Sequence, residues 1–328
     1  MNHLLTLEDV TPAALRALLA RAALLKRARL AGEPRPTPLA GKTIALLFEK
    51  PSLRTRVSFE VAARELGASS LYLAPAEVGL GQRESVADVA RVLSEYAHAV
   101  VIRTFRHATL EEFAAAARVP VINGLTDQHH PCQALADALT MREAFGDLTG
   151  RVLAYVGDGN NVAHSLLQVG AKAGMHVRLA TPAGYEPDGA IVAAAAREAA
   201  RTGGSVTLLR QPEVAASGAS VLYTDVWASM GQEAEAAARR PIFAPYQLNA
   251  RLLAHARPDA IVLHPLPAHR GEEITDEVAD GPRSRVFDQA GNRLHAQAAV
   301  LLALFAHSAA TSRQLAAPAA QAAPVVVR

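Results

Sequence analysis

Four polar side chains with the chemistry of an anion site lie within five residues: Ser52, Arg54, Thr55 and Arg56. They follow a short apolar run that predicts a buried strand, and they precede a segment with helical spacing. A helix N-terminus presents free backbone N–H groups, and its dipole favours an anion. Because Arg matches phosphate oxygens in a two-pronged geometry, the segment predicts a phosphate site. The alternative is a solvated helix start with arginines placed there by chance.

A second polar pair, His130 and Gln133, lies at the predicted start of another helix. Pro131 suits the first position of that helix, so both side chains would lie near its N-terminus. A His can donate a hydrogen bond to a carbonyl oxygen, and a Gln can bond an amide nitrogen. A capped helix start with a surface His is the alternative.

The turn Gly157–Asn161 follows an apolar run and raises the question of a dinucleotide site. The G-x-G-x-x-G pattern requires a third glycine where this chain has Val162. It also requires an acidic residue at the end of the next strand, where the chain has Thr181. The turn therefore does not indicate dinucleotide binding. Its two asparagines could bind a small polar ligand or serve only the turn conformation.

Two later segments also place polar groups directly after predicted strands. Asp225 ends one strand, and Ser229–Gly231 form a turn after it. A carboxylate there could hold a substrate ammonium group or cap the turn. Another strand ends in His264–Pro267, where two prolines fix a stiff loop that is either part of a site or a rigid connector.

Strands and helices alternate along the chain, which predicts an α/β fold of mainly parallel, doubly wound sheets with helices on their faces. The predicted strands are 44–48, 69–73, 99–102, 119–122, 151–156, 177–180, 205–209, 221–224, 260–263 and 286–288. The predicted helices are 11–30, 57–66, 84–96, 110–117, 131–145 and 292 to about 305. In the helix after the phosphate segment, Val57, Val61, Ala62 and Leu66 are expected to share the buried face. Ligands bind at the carboxyl ends of parallel strands, so the polar segments should meet there.

Composition excludes several classes of protein. The chain has 328 residues, 50% hydrophobic and 20% charged, with a formal net charge of +2. A charge so near neutral does not favour nucleic acid or an acidic membrane as partner. The lone cysteine, Cys132, excludes an internal disulfide. Neither a signal peptide nor an apolar run long enough to span a bilayer is found, so we expect a cytoplasmic enzyme.

Five motifs of this chain resemble, in order, those of the aspartate/ornithine carbamoyltransferase family. They are S-x-R-T-R at Ser52–Arg56, H-P-x-Q at His130–Gln133, the turn Gly157–Asn161, D-x-x-x-S-M-G at Asp225–Gly231 and H-x-L-P at His264–Pro267. The fourth motif is similar to the ornithine type. The resemblance covers nearly the whole chain. It implies transfer of the carbamoyl group of carbamoyl phosphate to the δ-amine of L-ornithine, giving L-citrulline and phosphate, as in arginine biosynthesis.

The resemblance also implies roles for particular residues. For carbamoyl phosphate these residues are Ser52, Leu53, Arg54, Thr55, Arg103, His130, Gln133 and Arg293. For ornithine they are Asn161, Asp225, Ser229, Met230, Pro265 and Leu266. Arg103, His130 and Thr55 would be the catalytic donors to the carbonyl oxygen. No metal or other cofactor is implied.

The family fold implies two α/β domains with the active site in the cleft between them. Residues 1–146 would bind carbamoyl phosphate and would be completed by a C-terminal helix at 292–307, while residues 147–291 would bind the amino acid. Residues 308–328 are expected to form a mobile tail. The resemblance further implies a homotrimer or a higher assembly of trimers.

Three positions depart from the family pattern and leave alternatives open. Leu53 replaces a threonine, Gly79 replaces a polar residue that reaches a neighbouring subunit, and Pro265 replaces the usual cysteine of the ornithine enzymes. One alternative is therefore a carbamoyltransferase for another amine or amino acid. Aspartate is the weaker candidate, because Asp225 would repel its second carboxylate. The other alternative is a catalytically impaired paralogue.

Overall fold

The computed structural model describes residues 1–34, 36–229 and 231–316, which form two domains, each with a parallel sheet flanked by helices. The first domain contains α1 (Pro12–Leu30), β1 (Thr43–Phe48), α2 (Leu53–Glu65), β2 (Ser69–Leu73), α3 (Pro75–Val78), α4 (Val86–Tyr96), β3 (Ala99–Arg103), α5 (His107–Ala116), β4 (Val121–Leu125) and α6 (Pro131–Phe145). The rest of the chain contains β5 (Val152–Val156), α7 (Asn161–Lys172), β6 (His176–Ala180), α8 (Gly189–Thr202), β7 (Ser205–Leu209), α9 (Pro212–Ala216), β8 (Val221–Tyr223), α10 (Ala236–Phe243), α11 (Ala250–Leu253), β9 (Ile261–Leu263), α12 (Asp276–Ala279) and α13 (Val286–Ala316). The predicted α/β fold is confirmed.

The strand order of both sheets places a crevice at the centre of each. The first sheet has the order β2-β1-β3-β4, and the second has the order β7-β6-β5-β8-β9. The strands pair in parallel throughout. The next strand after β1, β2, lies on one side of it, and β3 lies on the other; β6 and β8 flank β5 in the same way. Ligands bind at such switch points, beyond the carboxyl ends of the strands. The loops after β1, β3, β5 and β8 lie there.

The buried face of α2 agrees with the predicted one at Ala62 and Leu66 but not at Val57. The structure buries Thr55, Phe59, Ala62 and Ala63, whereas Val57 is 46% exposed. The aromatic ring of Phe59 packs fully into the core, and burial of so large an apolar surface outweighs that of a single valine. Helix α2 is therefore rotated about its axis relative to the prediction, so that the Thr55 side chain is buried beside the predicted phosphate site.

The last predicted strand, 286–288, is wrong, because α13 begins at Val286 and continues to Ala316. Phe287 is 66% exposed, while Gln289, Asn292 and Arg293 are buried at helical spacing. The helix packs on α1, α2 and α6 of the first domain. It thus begins before the predicted position 292 and continues through 308–316, the first part of the segment expected to form a tail. Residues 317–328, the rest of that segment, lie outside the described residues. Neither α13 nor any other helix of the described residues is long and apolar enough to cross a membrane.

Candidate active site

A cleft of about 920 Å³ lies at the carboxyl ends of the strands and receives loops from both sheets. The predicted site residues that line it are Ser52, Leu53, Arg54, Thr55, Arg103, His130, Gln133, Asn161, Asp225, Ser229, Pro265, Leu266 and Arg293. Met230, also predicted, lies outside the described residues. Residues as far apart in the sequence as Ser52 and Arg293 thus meet at one cleft.

The N-terminus of α2 forms one wall of the cleft. Ser52 is its N-cap, and its hydroxyl accepts a hydrogen bond from the backbone N–H of Thr55 at 3.2 Å. The first helical residue, Leu53, is 75% exposed and lines the cleft together with Arg54. This wall presents a helix N-terminus and a guanidinium group, which together favour an anion.

Arg56 does not belong to the anion site, contrary to the sequence prediction. Its Nε donates to Oε1 of Glu60 at 2.9 Å, and its guanidinium lies 3.7 Å from the centre of the Tyr72 ring. Residues two positions apart on a helix point to different sides. The helical period therefore directs Arg54 toward the cleft and Arg56 away from it.

Three guanidinium groups, those of Arg54, Arg103 and Arg293, give this half of the cleft its positive charge. Burial, reinforced by Arg293 and Arg54, lowers the pKa of Arg103 to about 9. Burial also lowers the pKa of Arg293. Nε of Arg103 is buried and has no hydrogen-bond partner among the described atoms. Because buried like charges repel, the group is suited to a ligand with at least one negative charge.

His130 lies against this cationic group as a neutral imidazole. Burial lowers its pKa well below the ordinary value, and Arg293, Arg103 and Arg54 lower it further. Its backbone N–H donates to the hydroxyl of Ser165 at 2.8 Å, while the ring Nδ1 is buried and finds no partner among the described residues. A neutral imidazole can donate from one ring nitrogen, so His130 can hydrogen-bond a carbonyl oxygen in the cleft.

α13 joins the two sides of this half of the cleft through Arg293. Its Nη1 donates to Oε1 of Gln133 at 2.7 Å, and its Nη2 donates to the hydroxyl of Thr55 at 3.1 Å. The C-terminal helix therefore ties the N-terminus of α6 to the N-terminus of α2. This explains why a residue so late in the sequence lines the cleft.

The opposite half of the cleft contains a buried carboxylate, Asp225. Burial raises its pKa, and Nδ2 of Asn160 donates to its Oδ2 at 2.8 Å. Asn161, the predicted ligand-binding asparagine, lines the cleft, and its Nδ2 donates to the backbone oxygen of Thr126 at 2.6 Å. A carboxylate that is buried and short of cationic contacts is suited to a ligand ammonium group.

Arg239, which the sequence reasoning missed, holds the loop that carries this carboxylate. It lies on α10, is 6% exposed, and its Nη1 donates to Oδ2 of Asp158 at 3.0 Å and to the backbone oxygen of Trp227 at 2.8 Å. Burial raises the pKa of Asp158 to about 6, although Arg239 acts in the opposite direction. Asp158 precedes α7, so Arg239 connects the turn before α7 to the loop after β8. Asp158 lies 81 residues before Arg239, and no motif indicates that the two side chains meet.

The loop after β9 is held by a histidine–carboxylate pair. The backbone N–H of Leu266 donates to Nδ1 of His264 at 2.9 Å, so Nε2 carries the proton and donates to Oε1 of Glu273 at 3.0 Å. Leu266 has a φ of 57°, which is rare for a branched side chain. The pair therefore fixes the loop that presents Pro265 and Leu266 to the cleft.

Within the described part of the chain, His269, Glu272 and Glu273 form one group of potential metal ligands. Nη2 of Arg240 donates to Glu272 at 2.6 Å, and Oε1 of Glu273 accepts from His264. One oxygen of each carboxylate is thus already engaged, and a guanidinium beside them opposes a cation.

Of the three departures from the family pattern, Gly79 has a local structural reason. It ends α3 in the left-handed conformation, with φ at 58°. A Cβ there would lie 2.8 Å from Cβ of Arg83. The turn after α3 therefore favours glycine. Leu53 and Pro265 line the cleft, and both remain able to contribute backbone groups.

The cleft thus combines a cationic half with a carboxylate half, which suits a reaction between an anionic and an amine substrate. Comparisons with known proteins identify the class. The family model described as "Aspartate/ornithine carbamoyltransferase, carbamoyl-P binding domain" matches residues 2–143, and that of the "Asp/Orn binding domain" matches residues 149–304. The chain belongs to the aspartate/ornithine carbamoyltransferase family.

Within that family, the chain is similar to proteins named ornithine carbamoyltransferase. The protein of that name from Anoxybacillus flavithermus is 54% identical over 300 residues, which cover 92% of this chain and 95% of the relative. The solved structure of ornithine carbamoyltransferase from Pyrococcus furiosus has a TM-score of 0.89 at 53% identity and covers 92% of this chain and 96% of its own. The structure from Thermus thermophilus has a TM-score of 0.84 at 48% identity, covering 93% and 99%.

Proposed function

We propose that this chain transfers the carbamoyl group of carbamoyl phosphate to the δ-amine of L-ornithine, which gives L-citrulline and phosphate. The observation that carries the proposal is the charge pattern of the cleft. The guanidinium groups of Arg54, Arg103 and Arg293 line one half, and the carboxylate of Asp225 lines the other. A phosphate suits the first half and an ammonium group suits the second. The names of the similar proteins support the same reaction.

Carbamoyl phosphate is assigned to the cationic half. Ser52, Arg54, Thr55 and the backbone N–H of Leu53 bind its phosphate at the N-terminus of α2. Arg103 reaches both the phosphate and the carbonyl oxygen.

The carbamoyl group itself is assigned to the N-terminus of α6. His130 donates to the carbonyl oxygen, and Gln133 accepts from the carbamoyl nitrogen. Arg293 supports both substrate groups, because it contacts Gln133 and Thr55 directly.

Ornithine is assigned to the half that contains Asp225. Asp225 and Asn161 hold its α-amino acid end, together with Ser229 and Met230 of the following turn. Pro265 and Leu266 line the passage in which the δ-amine meets carbamoyl phosphate. A proline side chain has no polar group, so Pro265 cannot hold the δ-amine through its side chain. The δ-amine is therefore positioned by backbone groups of this loop and by the hold of Asp225 on the α-amino acid end.

The reaction follows from this placement. The neutral δ-nitrogen attacks the carbamoyl carbon, a C–N bond forms, and the bond from that carbon to the phosphate oxygen breaks. The donors of Thr55, Arg103 and His130 stabilise the negative charge that develops on the carbonyl oxygen. The proton of the amine passes to the leaving phosphate. Holding both substrates in one cleft removes much of the entropic barrier.

The proposal extends to domain roles, location and assembly. Residues 1–146 with the helical segment 292–307 bind carbamoyl phosphate, and residues 147–291 bind ornithine. A cytoplasmic location agrees with a single cysteine, Cys132, which is buried and unpaired. A biosynthetic direction agrees with the Pyrococcus furiosus relative, 53% identical and named "Ornithine carbamoyltransferase, anabolic". A homotrimer is part of the proposal.

The experiment that tests the function is a comparison of acceptors. The purified protein is supplied with carbamoyl phosphate and, in parallel, L-ornithine, L-aspartate, putrescine and Nα-acetylornithine, and the ureido product is quantified. The proposal predicts kcat/KM for ornithine roughly a hundredfold or more above every other acceptor. Faster turnover of another acceptor would overturn the ornithine assignment. Binding of carbamoyl phosphate without turnover of any acceptor would identify an impaired paralogue.

A further inference from the structure

Asp137 is a fully buried carboxylate that does not line the cleft and has no role in the assignments above. It lies on α6, one helical turn after Gln133. Nε2 of Gln133 and Nε2 of Gln289 donate to its Oδ1 at 2.8 and 2.7 Å. The hydroxyl of Tyr223 donates to its Oδ2 at 3.0 Å. Three donors from three elements therefore surround one carboxylate, which acts only as an acceptor when ionised.

The amide of Gln133 is held between two groups that together determine its orientation. Its nitrogen faces Asp137, which accepts, and its oxygen faces Arg293, which donates from Nη1 at 2.7 Å. A reversed amide would place oxygen against carboxylate and nitrogen against guanidinium, leaving two buried pairs without hydrogen bonds. Oε1 of Gln133 is therefore fixed as an acceptor. An amide oxygen has two lone pairs, so it can accept one more N–H from a molecule in the cleft, which Gln133 lines.

The same carboxylate also reaches the loop after β9. Gln289 lies at the start of α13, and while its Nε2 donates to Asp137, its Oε1 accepts from the backbone N–H of His264 at 2.9 Å. Asp137 thus bonds Gln133 at the N-terminus of α6 directly. It also bonds Gln289, which in turn bonds the loop that carries Pro265. Its position is suited to keeping both parts of the cleft in one arrangement.

We propose that Asp137 is a positioning residue that fixes Oε1 of Gln133 as an acceptor. As a result, the cleft prefers carbamoyl phosphate to an acyl phosphate that carries CH3 where carbamoyl phosphate carries NH2. This inference rests on the proposed function, since it pairs Gln133 with the carbamoyl nitrogen. A methyl group has no N–H to donate. It would leave Oε1 of Gln133 without its second partner in a buried position, which costs binding energy.

The test uses two phosphonates that do not hydrolyse and that differ only in NH2 against CH3: phosphonoacetamide and phosphonoacetone. Their dissociation constants are measured by calorimetry on the full chain. Burial raises the pKa of Asp137 to about 7, so the buffer is set at pH 8, where the carboxylate is ionised. The wild type is expected to bind the amide roughly tenfold more tightly.

Asp137→Asn keeps the size of the side chain but adds an NH2 donor, so it no longer dictates the orientation of the Gln133 amide. The preference for the amide is expected to fall to about twofold or less, mainly through weaker amide binding. Thr140→Val is the matched control. Thr140 is a buried polar residue on the same helix that bonds Ala136 and Asn292 instead of Gln133. This variant is expected to keep the wild-type preference.

An unchanged preference in a folded Asp137→Asn protein would overturn the proposal, and so would an equal loss in Thr140→Val. If the asparagine variant does not fold, a wild-type ratio near one still overturns the proposal, because it contradicts a fixed acceptor. Binding of the phosphonates needs no turnover. Citrulline formation is measured separately on the same preparation, so failure of the inference and failure of the proposed function give different results.

Discussion

Arg54 and Arg56 lie two positions apart on one helix and have different surroundings. Both are arginines in one motif, but Arg54 lines the cleft, while Arg56 pairs with Glu60 and stacks on Tyr72 outside it. The sequence places both guanidinium groups near a helix N-terminus, and only the rotation of α2 distinguishes them. That rotation is determined by the burial of Phe59 and Thr55.

The first prediction concerns this pair. Arg54→Gln removes a positive charge from the phosphate half, and loss of charge-assisted hydrogen bonds of about 2–3 kcal/mol raises KM for carbamoyl phosphate roughly 30- to 150-fold. Arg56→Gln is the matched control and should change KM by less than about threefold, because exposed ion pairs contribute little. Initial rates at saturating ornithine give KM for carbamoyl phosphate in both variants. Similar effects in the two variants would contradict the assignment of Arg54 alone.

At the scale of elements, α10 matters because one of its side chains holds two loops of the ornithine half. Arg239 bonds Asp158 before α7 and the backbone of Trp227 after β8, and its neighbour Arg240 pairs with Glu272 near the surface. The buried pair is costly to break, since removing one partner leaves the other charge buried. The exposed pair of Arg240 and Glu272 costs little to break.

The second prediction follows from this contrast. Arg239→Leu should raise KM for ornithine roughly tenfold, because the loop that carries Asp225 loses its anchor, while KM for carbamoyl phosphate stays within about twofold. Arg240→Leu should leave both constants within about twofold. Steady-state kinetics with each substrate varied in turn provide the comparison. Equal increases for both substrates in Arg239→Leu would indicate general loosening and would contradict a local anchoring role.

A cluster of three histidines supports the segment between β4 and α6. The rings of His107 and His129 are 4.9 Å apart, and that of His164 lies 6.1 Å from His129. Nδ1 of His164 bonds the backbone oxygen of Gln128, and the backbone N–H of Asp188 donates to its Nε2 at 2.9 Å. Burial lowers the pKa of His129 to about 3, with His107 and His164 acting in the same direction.

The third prediction is acid lability from this cluster. Between about pH 6.5 and pH 3 the unfolded chain binds a proton at His129 that the folded chain does not, so stability decreases as the pH falls through this range. At pH 5 the loss from His129 is about 2 kcal/mol relative to neutral pH. Chemical unfolding at pH 7 and pH 5 should therefore show a smaller loss in His129→Gln than in the wild type. The exposed His255→Gln is the control, and a variant at His129 with the wild-type loss would refute the claim.

For the whole molecule, apolar burial made most elements predictable, while long-range polar contacts did not. The buried strand β1 (Thr43–Phe48) lies within one residue of the predicted strand 44–48, because a continuous apolar run leaves little choice. The edge strands 69–73 and 205–209 also match their predicted bounds. Val286 and Phe287 also form an apolar run, but they begin α13, whose buried face becomes visible only from the residues that follow. The motifs indicated polar side chains of both halves of the cleft, such as Arg54 and Asp225, but not Arg239, which also lines it, or Asp137, which lies outside it. Two of their buried contacts, Arg239 with Asp158 and Asp137 with Gln289, join residues that are 81 and 152 positions apart.

The fourth prediction is the assembly state. Several large apolar side chains of the first domain are exposed, including Leu53 at 75%, Leu71 at 46% and Tyr96 at 70%. The proposed homotrimer would cover part of this apolar surface. Sedimentation equilibrium should give a mass of three times 34.6 kDa, or a multiple of that value. A monomer over the whole concentration range would contradict the trimer.

The central claim is that one cleft holds carbamoyl phosphate and ornithine side by side, and a single molecule that joins the two tests it most directly. In this molecule a phosphonoacetyl group is linked by an amide bond to the δ-nitrogen of L-ornithine; its counterpart carries the same group on the α-nitrogen of L-aspartate. Calorimetry on the wild type should show the ornithine molecule binding roughly a hundredfold more tightly, and Arg54→Gln and Asp225→Asn should each weaken it about tenfold or more. Tighter binding of the aspartate molecule, or no effect of either variant, would contradict the account.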